Sequence, residues 1–326
     1  MPVRLKKYLK IVLTILIVSI IVFFFAREFK KNWEDILDKN FRINFYWLIA
    51  SFVMVIAAYL ANTLTWRQLI NAYHKQLPPI TVKESIAIVN TTQLAKYIPG
   101  KVWSYAVQIY WLSKKGYSKS KVLFINIVAT LSTLCAATFI GVIIIAVFHA
   151  KINSNTSILL ILGICFAYAV FVFFHTPILN LIIKLSNKFM KKKISPLKIS
   201  LNQIIKTQLF YIITNLLFGM SIFLTCMAIG LDDNYSLNTL IVGSFLIGDV
   251  VGFLFIIIPG GLGVRESMMF FIIAGSYQKD VALVVPLATR LLTMTADISM
   301  GILGFFLGKK NLFYKKPRLT NSRYQY

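Results

Sequence analysis

Apolar runs recur along this chain at a length that a bilayer sets: Ile11 to Ala26, Phe45 to Leu64, Val122 to Phe148, Ile158 to Ile183, Ile204 to Ile229 and Val281 to Gly308. A hydrocarbon core of about 30 Å takes about 20 helical residues to cross. Inside it the backbone must satisfy its own N–H and C=O groups. The runs therefore predict an all-α polytopic membrane protein with about six full transmembrane helices. Hydrophobic residues fill 58% of the 326 positions and charged residues only 14%, so no polar stretch is long enough to fold as a soluble domain. Residues 1–326 read as a single integral membrane domain.

In a soluble protein the net charge of +24 would point to nucleic acid. Here the lysines sit in short loops between apolar runs, and topology explains them without a nucleic-acid partner. Segments 1–10, 67–86, 114–121, 184–203 and 309–326 hold nearly all of the excess, whereas 27–44, 149–157, 230–236 and 276–280 are close to balanced. Positive residues collect on the cytoplasmic side. The pattern predicts a multi-pass protein of the cytoplasmic membrane with both termini inside and 309–326 as a basic cytoplasmic tail. Ile11 to Ala26 follows Arg4, Lys6, Lys7 and Lys10 but lacks a small-residue cleavage site, so it reads as an uncleaved first span. Cys135, Cys165 and Cys226 lie in apolar runs without ligand spacing and read as packing residues; neither a metal nor a cofactor is expected.

Two stretches interrupt this regularity. In Ile258-Pro259-Gly260-Gly261-Leu262-Gly263-Val264-Arg265-Glu266, the proline and three glycines stop a helix arriving from Asn238. A new helix should start near Val264, with Arg265 and Glu266 in its first turn and its free N–H groups forming an anion site. Ile98-Pro99-Gly100-Lys101 makes a second break. Thr81 to Tyr97 is helical in pattern, and Val102 to Leu112 then rises roughly 17 Å, too little to cross. Each break thus predicts a re-entrant helix hairpin. Two spans, a hairpin and one more span describe residues 9–148, and again 158–308 in opposite orientation, which predicts an inverted repeat.

Charges inside the apolar part carry the functional reading: Lys96, Lys101, Lys206, Asp249, Arg265, Glu266, Arg290 and Asp297. Lys206 lies near a span end and can snorkel. Each of the others costs about 2.5–3.5 kcal/mol at the membrane centre and should face the bundle interior. One reading is that these charges neutralise one another and fix helix register. The other is that the cations Lys96, Lys101, Arg265 and Arg290 outnumber Asp249, Glu266 and Asp297 by one, so that one bound phosphate completes the set. Gly248 and Gly252 around Asp249 form a small-residue seam, as do Gly301, Gly304 and Gly308 beyond Asp297. Trp103, Tyr105, Tyr110 and Trp111 read first as interfacial anchors and second as a surface that stacks on a sugar or lines an acyl path.

Gln93-Leu94-Ala95-Lys96-Tyr97-Ile98-Pro99-Gly100-Lys101-Val102-Trp103 and Pro259-Gly260-Gly261-Leu262-Gly263-Val264-Arg265-Glu266, with Arg290 beyond, resemble the lysylphosphatidylglycerol synthase transmembrane-region family of flippase-like membrane proteins. The resemblance runs from about Phe45 to Gly308. With the intramembrane charges it gives candidate substrate contacts at Lys96, Lys101, Trp103, Arg265, Glu266, Arg290 and Asp297, while Pro99, Gly100, Pro259, Gly260, Gly261 and Gly263 read as structural breaks. Two-domain members of the family carry a cytoplasmic aminoacyltransferase that has no counterpart in these residues, so synthase activity is not implied. At the first break those members tend to read Pro-Gly-Arg-x-Gly-Glu, where this chain has Lys101 and then Trp103-Ser104. The form here is similar to stand-alone members that accompany envelope polysaccharide genes. The implied cargo is a polyprenyl-phosphate-linked glycan, a glycolipid or an (aminoacyl-)phosphatidylglycerol.

Three functions stay open on the sequence: a lipid translocase, a membrane-embedded glycosyl- or phosphotransferase, and a non-catalytic partner of an envelope glycosyltransferase. The second would need acidic groups at the surface, such as Glu34, Asp35 and Asp38 or Asp232 and Asp233, and neither set forms a transferase motif. The reading carried forward is a translocase of an anionic membrane lipid that is not an enzyme.

Overall fold

A computed structural model describes residues 27, 30, 43–74, 76–97, 103–149, 151–189, 199–231, 234–255 and 258–309. The described residues are helical without a strand, and the helices in chain order are α1 (Phe45–Tyr73), α2 (Val82–Gln93), α3 (Trp103–Lys114), α4 (Lys119–Phe148), α5 (Ser154–Phe173), α6 (His175–Phe189), α7 (Leu201–Ala228), α8 (Tyr235–Leu254), α9 (Val264–Ala274) and α10 (Lys279–Lys309). Six of them (α1, α4, α5, α7, α8 and α10) are long and apolar enough to cross a bilayer. This is an all-α polytopic membrane fold. The expected span Ile11 to Ala26, the acidic residues of both loops, Pro99, Gly100, Lys101 and the tail from Lys310 onward lie outside the described residues.

Polar side chains mark where the helices begin. Asn44 accepts from the Tyr46 and Trp47 N–H groups ahead of α1, Asn153 from Thr156 ahead of α5, and Ser200 from Gln203 ahead of α7. Thr81 and Glu84 form a reciprocal capping box at α2. Two expectations about span ends need correction. Ile158 to Ile183 is not one helix: α5 stops at Phe173, and α6 starts anew at His175 with Pro177 in its first turn. Proline has no N–H to continue a ladder but fits a first turn. The second span also runs on past Leu64 to Tyr73, which carries Trp66 into the bundle, where it is buried and donates to Asn126 Oδ1 at 2.8 Å.

The packing pairs distant parts of the chain. Helix α1 lies along α7, α2 lies on α10, and α8 lies on α4. Glycines set the close approaches: a Cβ on Gly301 or Gly304 of α10 would meet Leu94 or Thr91, and one on Gly243 of α8 would meet Ile144 of α4. Two core clusters result, one around Phe245, Met269, Leu283 and Ala296, the other around Trp66, Phe124, Ile204 and Tyr211.

Each broken stretch gives a pair of helix arms that pack beside each other, equal in the first (12 residues each) and unequal in the second (20 and 11). In the first, α2 runs through a 3₁₀ turn, Leu94–Tyr97, toward the tip, and α3 comes back beside it. Its open end is closed by Lys115 Nζ on Glu84 Oε1 at 2.5 Å. In the second, α8 leads to the 3₁₀ turn Pro259–Gly261, and α9 returns along α8. Helix α9 starts at Val264, where the sequence puts it. Gly260, Gly261 and Gly263 all have positive φ (57°, 65° and 81°), and a Cβ on Gly261 would stand 3.0 Å from the Gly252 carbonyl oxygen. Only glycine allows so close a turn. The two 3₁₀ turns, Leu94–Tyr97 and Pro259–Gly261, touch each other.

Candidate functional site

A cavity of about 260 Å³ lies against these tips, lined by Lys96 and Tyr97 from the first, Gly260 and Arg265 from the second, and Arg290, Thr293 and Asp297 from α10. Its remaining walls come from α1, α3, α4, α7 and α8. It occupies the bundle beside the C-terminal half of α1 (Tyr59 to Trp66) and the N-terminal half of α4 (Asn126 to Leu134).

Arg290, Thr293 and Asp297 recur every three or four residues and share one face of α10, from which each hairpin tip is gripped. Asp297 holds the first tip. Its Oδ2 takes Tyr97 Oη at 2.6 Å and lies 2.8 Å from Lys96 Nζ, while its Oδ1 takes Lys96 Nζ at 2.8 Å and Tyr59 Oη of α1 at 2.5 Å. Arg290 holds the second tip: Nη1 donates to the Gly260 carbonyl at 3.2 Å and to Glu266 Oε1 at 3.4 Å. A Cβ on Gly260 would touch Arg290 Nη2 and the Tyr97 ring, both at 3.2 Å, so the tips and α10 meet at one point.

Arg265 bridges the rest. Nη2 donates to Thr293 Oγ1 at 3.2 Å, Nε lies 3.4 Å from Glu266 Oε1, and Nη1 lies 3.7 Å from Asp249 Oδ1. Its backbone fills the α8 groove where Gly248 and Gly252 admit it, as expected of that seam. At the α9 N-terminus the chain's own carboxylate is already present, with Glu266 Oε2 accepting from the Gly263 N–H at 2.6 Å. Among the described residues Lys96, Arg265 and Arg290 face Asp249, Glu266 and Asp297, so this part of the site is formally neutral. The neutralising reading of the charges therefore describes much of what is seen. Among the described residues, three guanidinium nitrogens are buried without a hydrogen-bond partner in the protein: Arg265 Nε, which lies 3.4 Å from Glu266 Oε1, and Nε and Nη2 of Arg290.

The structure gathers Lys96, Arg265, Arg290 and Asp297 at the cavity and sets Glu266 directly behind them. It does not bring Trp103 into the lining; that residue stands exposed at the start of α3 with Tyr110, whereas Tyr105 turns inward and pairs with Thr130 Oγ1 at 2.7 Å. Sequence reasoning missed Tyr59 and Tyr97, which complete the Asp297 contacts, and the amides Asn62, Gln108, Asn126 and Asn215 of the cavity wall. A signal existed: an amide buried in hydrocarbon costs free energy as a charge does, on a smaller scale. At the open end of the first hairpin, burial pushes the Glu84 carboxyl up. The hydrogen bond from Lys115 and those at Thr81 outweigh it and hold the group below its usual value.

With two broken helix hairpins meeting at one charged face, the match to a known family can be judged on more than hydropathy. The family model for the lysylphosphatidylglycerol synthase TM region matches residues 11–301. The chain belongs to this family. Membership and the six apolar helices make it a multi-pass membrane protein of lipid or envelope biogenesis. No curated protein and no solved structure matches the chain.

Proposed function

We propose that this chain is a translocase that carries an anionic lipid headgroup across the cytoplasmic membrane through the cavity at the two hairpin tips. The observation that carries the reading is Arg290: a buried guanidinium lining the cavity, with Nε and Nη2 unpaired. A buried cation with free donors is costly unless something anionic completes it, and a guanidinium edge matches phosphate oxygens. The volume agrees. About 260 Å³ is the room of about nine waters at about 30 Å³ each, enough for a headgroup but not for its hydrocarbon tails, which stay in the bilayer.

The packing supports movement of the kind such transport needs. The first hairpin's leading arm, α2, lies on the last helix of the second half, and the second hairpin's leading arm, α8, lies on α4 of the first half. Two inverted halves would produce this exchange, and broken helices near the midplane of such halves are a common transporter plan. The cavity occupies the side of the bundle that Lys114, Lys115, Lys119 and Lys121 assign to the cytoplasm, so loading starts from the inner leaflet. The re-entrant hairpins are then gates, and no covalent step is required of the protein.

The test is movement of fluorescent phosphatidylglycerol, its lysyl form and a polyprenyl phosphate in proteoliposomes. Wild type is expected to move at least one of them, and Arg290→Ala to lower that rate at least tenfold while the protein stays monodisperse. No movement of any of the three by folded protein overturns the reading. A membrane partner for an envelope glycosyltransferase then takes its place.

A further inference from the structure

The phosphate end of the cavity follows from the translocase reading, but its other end does not. Every cavity-lining residue from α1, α3, α4 and α7 is uncharged, and amides and aromatic rings predominate among the larger ones, Trp66, Gln108, Asn126 and Asn215 included.

Two of these amides are held in one orientation by their neighbours. The indole N–H of Trp66 only donates, and it takes Asn126 Oδ1 at 2.8 Å. The free atom of Asn126 is therefore its donor, Nδ2. Thr92 Oγ1 gives its own proton to the Ile88 carbonyl at 2.8 Å, so it accepts from Gln108 Nε2 at 2.9 Å. The free atom of Gln108 is therefore its acceptor, Oε1. Asn126 is 2% exposed and Gln108 4% exposed, and both free atoms are buried without a partner in the protein. The wall residues thus carry one unmet donor and one unmet acceptor. Phosphate oxygens only accept and an ammonium only donates, but a hydroxyl does both.

From this complementarity we infer that the uncharged end of the cavity is a subsite for a neutral, hydroxyl-bearing headgroup, a sugar or similar polyol, joined to the phosphate drawn by Arg290. The inference rests on the translocase reading for the phosphate end. At the charged end, Asp297 is already engaged by Lys96 and two tyrosines.

Purified protein in detergent is titrated with glucose 1-phosphate and with inorganic phosphate, and binding is read calorimetrically. Wild type should bind glucose 1-phosphate at least tenfold more tightly. Asn126→Asp keeps the Trp66 contact but replaces the free donor with an acceptor. Gln108→Met keeps the length of the side chain and removes the free acceptor. Each should bring the affinity ratio close to one, and if the first does not fold, the second carries the test. A wild-type ratio near one, or a ratio that survives the substitutions, overturns the sugar subsite and leaves the phosphate end standing. Binding with the expected ratio but no lipid movement in proteoliposomes sinks the translocase reading instead. If neither probe binds folded wild type, both fall.

Discussion

The two hairpins do the same topological job by opposite means. The second tip is built into the backbone: three consecutive-turn glycines at positive φ fold it against Gly252, and Glu266 closes the start of α9 from within. Among the described residues, the part of the first tip at 94–97 is held by side chains reaching it from elsewhere, above all Asp297 of α10. Exposure follows the same division, with the Lys96 side chain 31% exposed and that of Arg265 7%. A tip tied by a few long side chains releases when those contacts are exchanged. A tip folded by glycine backbone moves only with the elements around it. If both hairpins gate a translocase, the first would be the more mobile gate and the second the stiffer one.

Removing Asp297 should break that contrast most severely. Asp297→Ala leaves Lys96, Tyr59 and Tyr97 without their carboxylate; loss of one partner of a fully buried ion pair costs about 3–5 kcal/mol, and the partial exposure of Lys96 lowers that figure. Hydrogen exchange should rise over 94–97 well above any rise over 259–263, together with a lower unfolding temperature in detergent. An equal rise at both tips would refute the division. Next in size is Gly261→Ala. The left-handed backbone alone costs about 1–2 kcal/mol for an L-residue, and the added Cβ meets the Gly252 oxygen at 3.0 Å. Here the exchange should rise over 259–263 and leave the Asp297 contacts protected. A variant as stable as wild type would show that the second tip is not fixed by its backbone.

The sequence made the second hairpin more legible than the first for the same reason. Pro259 and the three glycines act locally, so both the end of α8 and the start of α9 at Val264 could be read from neighbours in the chain. The first tip is defined by Lys96 and Asp297, which are 201 residues apart, and no local pattern states that pairing. Charge in an apolar run told which residues must face inward but not whom they meet, which is why Arg290 and Asp297 were found and Tyr59 was not. The second apolar run ends at Leu64 by hydropathy, whereas the helix continues to Tyr73 and buries Trp66. Hydropathy likewise ran straight through Phe174, where Pro177 was the better guide to the break.

The smallest expected effect sharpens the comparison at the opposite end of the first hairpin. Glu84 and Lys115 join the open ends of its arms at 2.5 Å. The second hairpin has no such ion pair among its described residues. Lys115 and Thr81 hold the Glu84 carboxyl below its ordinary value of 4.5. A carboxyl depressed in the folded state adds stability above its unfolded pKa, and that stability is lost as pH falls through the folded value. Because the pair is partly exposed, its contribution is below about 1 kcal/mol and should shrink with salt. Glu84→Gln is therefore expected to lower the unfolding temperature slightly at pH 7 and to make no difference once the pH is well below 4.5. Exchange at the α2 N-terminus should rise in the variant while the tip at 94–97, still tied to Asp297, stays as it was. If the tip loosened too, the arms would be acting as a lever between the surface ion pair and the gate, and the first hairpin would move as one body.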